Sequence, residues 1–251
     1  MMKIINVRTV FLASVFLAFS LVSASADVIT VNNPSFETLP ASGLHQTAGC
    51  ATPGCVYEIG PIPDWTNTGV SGQWQPGGPS GTSFTNYNSL PDGPTIAFTD
   101  FPTSSTKGPT ISQIVSATVE DGGVYTLSVD VGHRSNDVAF TPDVGLLIGG
   151  VFYAAAGVDP GSGNWDTWTA TFTGSAATAG DAIEIELSSG GGQGNFDNVV
   201  LTGPSVGSAV PEPASDGLLA LGLCGLIVLW QLDRRMLRSS QHDRFESVHT
   251  F

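Results

Sequence analysis

The stretch Val124-Tyr125-Thr126-Leu127-Ser128-Val129-Asp130-Val131 alternates along its length, with Tyr125, Leu127, Val129 and Val131 on one face. A period of two is what a half-buried antiparallel strand requires, because successive side chains point to opposite faces. The same period recurs twice. Trp168, Ala170 and Phe172 alternate with Thr167, Thr169, Thr171 and Thr173, and Ile183, Ile185 and Leu187 alternate with Glu184 and Glu186. Further strands are expected at 28–31, 95–99, 110–119, 144–153 and 196–201. Turn clusters such as Asp121-Gly122-Gly123 and Asp159-Pro160-Gly161 punctuate them. No amphipathic helix of useful length interrupts this pattern. Many short strands with such punctuation predict an all-β antiparallel sandwich. Residues 31–108 are less regular, and read as strands separated by long Pro- and Gly-rich loops where a binding surface would lie.

The two ends read differently. Lys3 and Arg8 introduce an apolar run over 10–22 that ends in Ala24-Ser25-Ala26. A basic start, an apolar core and small residues in A-x-A spacing predict a secretory signal peptide over 1–26. An uncut signal anchor is the alternative, and the small-residue site argues against it. A second apolar run covers 217–232 without a charge, somewhat short of the roughly 20 residues that cross a bilayer core. Arg234, Arg235 and Arg238 follow it, and basic residues beside an apolar stretch stay cytoplasmic. On physical grounds alone this is a single-span anchor. The expected organisation is a signal peptide at 1–26, a β-sandwich at 27–202 and a linker at 203–216. A transmembrane segment at 217–232 and a basic cytoplasmic tail at 233–251 complete it.

Just before that apolar run stands Val210-Pro211-Glu212-Pro213. Pro211, Glu212 and Pro213, the short span and the pair Arg234 and Arg235 together resemble the PEP-CTERM sorting signal of Gram-negative bacteria. The resemblance implies a partner, an exosortase, that recognises the tripeptide and processes the tail. It implies an inner-membrane-anchored precursor that ends at the cell surface or in an exopolysaccharide biofilm matrix. The tail beyond Arg238 is longer than the family's usual few residues.

Charge narrows the function. Between residues 27 and 205 there are 17 Asp and Glu against two strong cations, Lys107 and Arg134. Phosphate binding needs clustered cations, so nucleic acid is excluded as a partner. Acidity of this kind suits solubility, neutral partners or divalent cations. Cys50 and Cys55 frame Ala-Thr-Pro-Gly, while Cys224 lies in the apolar run. In an oxidising compartment the first two are expected to close a disulfide, since no further ligands stand nearby for zinc.

A second resemblance covers the sandwich. Asn33-Pro34-Ser35-Phe36-Glu37 near its start and Asn195-Phe196-Asp197-Asn198-Val199 near its end are similar to the terminal strands of galactose-binding-like jelly rolls. Many carbohydrate-binding modules share that fold. The resemblance implies a structural calcium bridging the first and last strands, with Glu37 and Asp197 as its ligands and backbone carbonyls completing the shell. The bland reading is that Glu37 caps a strand and Asp197 bonds a turn.

Chemistry is sparse. There is no Gly-x-Ser-x-Gly elbow and no His-Glu-x-x-His. His133 reads as a loop or surface histidine, and Glu184 and Glu186 as solvated acids on one strand face. Trp65, Trp74, Tyr87 and Trp165 stand beside Gly, Pro, Asn or Asp, outside clear alternation. Exposed, such rings would stack on a pyranose, so they are the candidate carbohydrate-binding residues. Burial in the core is the competing reading. The sequence thus predicts an exported, non-catalytic module contacting exopolysaccharide or another glycan. The alternative is a secreted hydrolase acting on polysaccharide.

Overall fold

The computed structural model describes residues 26–49, 54–78, 86–100 and 108–205. The expected sorting residues Pro211, Glu212, Pro213, Arg234 and Arg235 lie outside them. So do Cys50, the membrane segment and, except for Ala26, the signal peptide. The strands are β1 Ala26–Ile29, β2 Val56–Ile59, β3 Thr66–Asn67, β4 Ser71–Gln75, β5 Ile96–Asp100 and β6 Thr110–Thr118. They continue with β7 Val124–His133, β8 Thr141–Ile148, β9 Val151–Ala154, β10 Asn164–Thr173, β11 Ala182–Gly190 and β12 Gln193–Pro204. A seven-stranded sheet runs β10-β7-β12-β5-β4-β2, with β1 added on β12, and a five-stranded sheet runs β3-β6-β11-β8-β9. Every pairing is antiparallel. No helix occurs among the described residues. The all-β sandwich is as expected.

Alternation builds the core. Tyr125, Leu127, Val129 and Val131 of β7 share one buried cluster with Ile111 and Val115 of β6, Val144, Leu146 and Ile148 of β8, and Ile183, Ile185 and Leu187 of β11. Each such side chain removed from water stabilises the fold by about 1.5–3 kcal/mol. Tyr125 keeps its polar tip satisfied at the edge of this core. Its hydroxyl donates to Thr118 O at 3.1 Å and accepts the Glu120 N–H at 2.8 Å.

The single strand expected over 144–153 is a hairpin. Ile148 faces Val151 across a two-residue turn in which Gly149 and Gly150 have φ of 56° and 78°. Left-handed backbone at both central positions is what a tight hairpin matching strand twist demands, and glycine adopts it without steric cost. Glu186, expected in solvent, is buried, and Glu184 is half-buried.

β4 lacked any sequence signal. Ser71-Gly72-Gln73-Trp74-Gln75 has no apolar alternation, yet all five residues are buried. Its amides are held instead by hydrogen bonds, Gln73 Nε2 donating to Thr38 O at 2.9 Å and Gln75 Nε2 to Thr95 Oγ1 at 2.9 Å. On β5, Ala97 joins the core between the sheets, so Ile96, Phe98 and Asp100 project from the opposite side of the seven-stranded sheet. That side carries the site.

Candidate active site

Register places one row of residues across this outer face: Ile59, Gly72, Phe98, Asn195, Gly132 and Trp165 are successive cross-strand partners. Beside it, Tyr57 faces Trp74, and Trp74 faces Ile96. One step the other way, Asp100 faces Gln193. Gly132 is needed where it stands. A Cβ there would lie 2.7 Å from the Trp165 indole, so that ring rests directly on the strand backbone. From Trp165 the aromatics continue inward, with Tyr87 at 4.9 Å between centroids and then Trp74 at 6.0 Å. Phe98 meets Tyr57 edge to face at 6.3 Å. Together they form an apolar cluster separate from the main core.

This cluster walls a cavity of about 220 Å³ lined by Tyr57, Trp74, Phe98, Asp100, Arg134 and Gln193, with Cys55 among its other walls. Arg134 is fixed there. Its Nε donates to Asn136 Oδ1 at 2.9 Å, its Nη1 donates to Gln193 Oε1, and its guanidinium lies 5.0 Å from the centre of the Trp74 ring. Asp137 Oδ2 is 4.0 Å from Nη1. Gln193 passes the network on, its Nε2 donating to Asn195 Oδ1 at 2.9 Å.

The Asp100 carboxyl is held above the usual carboxylate range. Burial is the main cause, the negative charge of Asp137 adds to it, and Arg134 opposes it. Burial likewise pushes the Tyr87 hydroxyl well above its ordinary value. That hydroxyl and Trp165 Nε1 are buried with no hydrogen-bond partner. The wall therefore combines a protonatable carboxyl, a fixed cation and several ring faces. The carboxyl can donate a proton, the guanidinium can stabilise the carboxylate left behind, and the ring faces can stabilise a cation on the bound molecule.

The candidate residues fall in three places. Trp74 and Tyr87 are buried in the aromatic cluster and Trp165 is half-buried against it. Trp65 belongs to the main core, 5.3 Å from Phe36, its Nε1 donating to Asn33 O at 3.1 Å. An exposed aromatic platform is therefore not what these four form, because their rings pack on one another and on backbone glycine. Cys55 is buried and disulfide-bonded, and its Sγ accepts from Trp74 Nε1 at 3.1 Å. His133 points inward, its Nδ1 3.4 Å from Asp159 Oδ1, and is not a surface histidine.

Glu37 and Asp197 each accept hydrogen bonds from the loop 92–95. Asp197 Oδ2 accepts the Asp92 N–H at 3.1 Å and its Oδ1 accepts the Asn198 N–H at 2.8 Å. Glu37 accepts from Thr95, N–H at 2.8 Å and Oγ1–H at 3.0 Å. Burial pushes Asp197 up to about 8, and the charges of Asp92 and Glu37 contribute. The backbone nearby is strained, with Asn33, Phe36 and Asn198 at φ of 48°, 58° and 49°. No group of three or more His, Cys, Asp or Glu able to hold a metal gathers among the described residues.

Tyr57, Phe98, Asp100, Arg134 and Gln193 were not identified from sequence. A signal did exist for one of them: Asp100 continues the face of Ile96 and Phe98, so an acid ends an otherwise apolar row.

Residues 27–202 match the HpiC1-like family, described as HpiC1 cyclase. The chain belongs to the HpiC1-like cyclase family. This overturns the non-catalytic role expected from sequence, because a cyclase does not require the hydrolase motifs whose absence suggested that role. No curated protein matches the chain in sequence. Among solved structures it resembles a cyclase from Fischerella sp. TAU, at 22% identity and TM-score 0.56, over 72% of this chain and 100% of that one. It resembles the Stig cyclase Fisc from Fischerella sp. TAU, solved in complex with (3Z)-3-(1-methyl-2-pyrrolidinylidene)-3H-indole, at 21% identity and TM-score 0.57 over the same shares. The CBM22-1 xylan-binding domain of Paenibacillus barcinonensis Xyn10C matches at 11% identity and TM-score 0.41, over 73% of this chain and 99% of that one.

Proposed function

We propose that this HpiC1-like family member is an exported cyclase whose cavity takes a small aromatic, indole-like substrate and whose Asp100 starts ring closure by donating a proton. The observation that carries this is the Asp100 carboxyl, on the wall of an aromatic-lined cavity and biased toward its protonated form by burial. The indole bound in Fisc supports the substrate class, since Tyr57, Trp74 and Phe98 present ring faces suited to such a bicycle. The cavity is smaller than the roughly 300 Å³ at which sites for drug-sized ligands begin, so the substrate is compact.

The step balances as an isomerisation. Asp100 gives its proton to an unsaturated carbon, whose π pair forms the new C–H bond and leaves a cation. The aromatic faces stabilise that cation. A second π bond of the substrate attacks it and closes the ring, and the carboxylate takes back a proton. Replacing Asp100 by Asn tests this: it keeps the shape, removes the proton, and should abolish turnover while leaving binding intact.

Two sequence readings join this proposal. Export and exosortase processing rest on the PEP-CTERM resemblance, which would place the enzyme at the envelope surface. Calcium held by Glu37 and Asp197 rests on the jelly-roll resemblance, on the hydrogen bonds of both to the loop 92–95 and on the burial of Asp197, and would stabilise the sandwich by tying its first and last segments.

A further inference from the structure

Arg134 is the sole Lys or Arg among the described residues of a strongly acidic sandwich, and it stands on the cavity wall. Among the described residues its side-chain hydrogen bonds run to the amide oxygens of Asn136 and Gln193. Neutral acceptors fix the orientation of a guanidinium without cancelling its charge. The nearest carboxylate in an ion pair with it, Asp137, reaches only 4.0 Å, at the limit of such a contact. Asp100, the acid on the cavity wall, is biased toward its neutral form by burial. The guanidinium lies over the Trp74 ring, 5.0 Å from its centre, and the side chain is largely buried.

A cation so held, partly desolvated and under-compensated, is a recognition element for an anion. We infer that Arg134 selects substrates bearing a carboxylate on a short arm from the aromatic ring, with the ring against Trp74 and Phe98 and the carboxylate on the guanidinium. This rests on the cavity being the substrate site, and deepens that reading by naming the substrate's second functional group.

The test titrates the full-length protein by tryptophan fluorescence with indole-3-propionate and with its uncharged amide. The anion should bind about tenfold more tightly, and raising the salt should shrink that ratio several-fold. Arg134→Gln should bring the ratio near one, and Arg134→Lys should restore part of it. Equal affinities in the wild-type protein, or a ratio insensitive to salt, overturn the inference even if the Gln variant fails to fold. A preference surviving in a folded Arg134→Gln variant overturns it as well. If neither ligand binds, the cavity reading falls and takes this inference with it; if the amide binds as well as the anion, only the anion inference falls.

Discussion

Gln193 stands directly opposite Asp100 across β12 and β5, and the same side chain accepts a hydrogen bond from Arg134. One neutral amide thus separates the proposed acid from the cation that opposes its protonation. Activity should be present at low pH and lost as pH rises through the Asp100 pKa, which burial holds above the usual carboxylate range. Gln193→Glu would place a negative charge beside Asp100, disfavour its ionisation and move that loss to higher pH. A pH–rate profile of the two proteins checks this; an unshifted or down-shifted limb contradicts it.

Asp197 gives a second pH effect, of stability. Its folded pKa, about 8, lies above its ordinary value of 3.8, so the folded state holds a proton that the unfolded chain has released. Stability from this group is therefore full below about pH 4 and is lost as pH rises toward 8, by an amount on the order of a few kcal/mol. Calcium should remove the loss by neutralising the carboxylate directly. Thermal unfolding without calcium should show a melting temperature falling between pH 5 and 8, a fall that Asp197→Asn abolishes. Calcium should raise the melting temperature at pH 8, and Glu37→Ala should abolish that rise. No calcium response at pH 8 would leave Glu37 and Asp197 as hydrogen-bonded pairing only.

Gly132→Ala should be costly although the change is one methyl group. The added Cβ meets the Trp165 ring at 2.7 Å and must displace it, a cost of about 1–3 kcal/mol for overpacking. Because Trp165 supports Tyr87, and Tyr87 supports Trp74, the cavity wall should loosen too. Denaturant unfolding together with indole binding would show both losses; an unchanged midpoint contradicts the packing argument.

What sequence disclosed follows from how each residue is held. The core of β7, β10 and β11 was legible because one apolar face and one polar face repeat every two residues. β4 was not, because Gln73 and Gln75 are buried through hydrogen bonds that leave no periodic trace. Glu37 and Asp197 were named from the resemblance, and both bond the loop 92–95. The cavity could not, because it joins Tyr57, Phe98, Asp100, Arg134 and Gln193 from segments whose register only the folded sheet defines. For Trp74 exposure and burial both stood open in the sequence; it is a buried wall with Arg134 over its ring.

Processing of the chain has its own test. Mass spectrometry of the surface protein should find a mature N-terminus at Asp27, a mass gained on reduction and alkylation of a Cys50–Cys55 bridge, and no segment beyond Pro213. Recovery of protein ending at Phe251 contradicts sorting by an exosortase.

The most direct measurement of the central claim is incubation of the enzyme in deuterated water with an indole carrying an unsaturated side chain, followed by mass spectrometry and NMR of the product. Wild-type protein should yield a cyclised isomer carrying one deuterium at the carbon that received the proton, and Asp100→Asn should bind the substrate but yield none. Equal conversion by the Asn variant, or a cyclised product without deuterium, would contradict Asp100 as the proton donor.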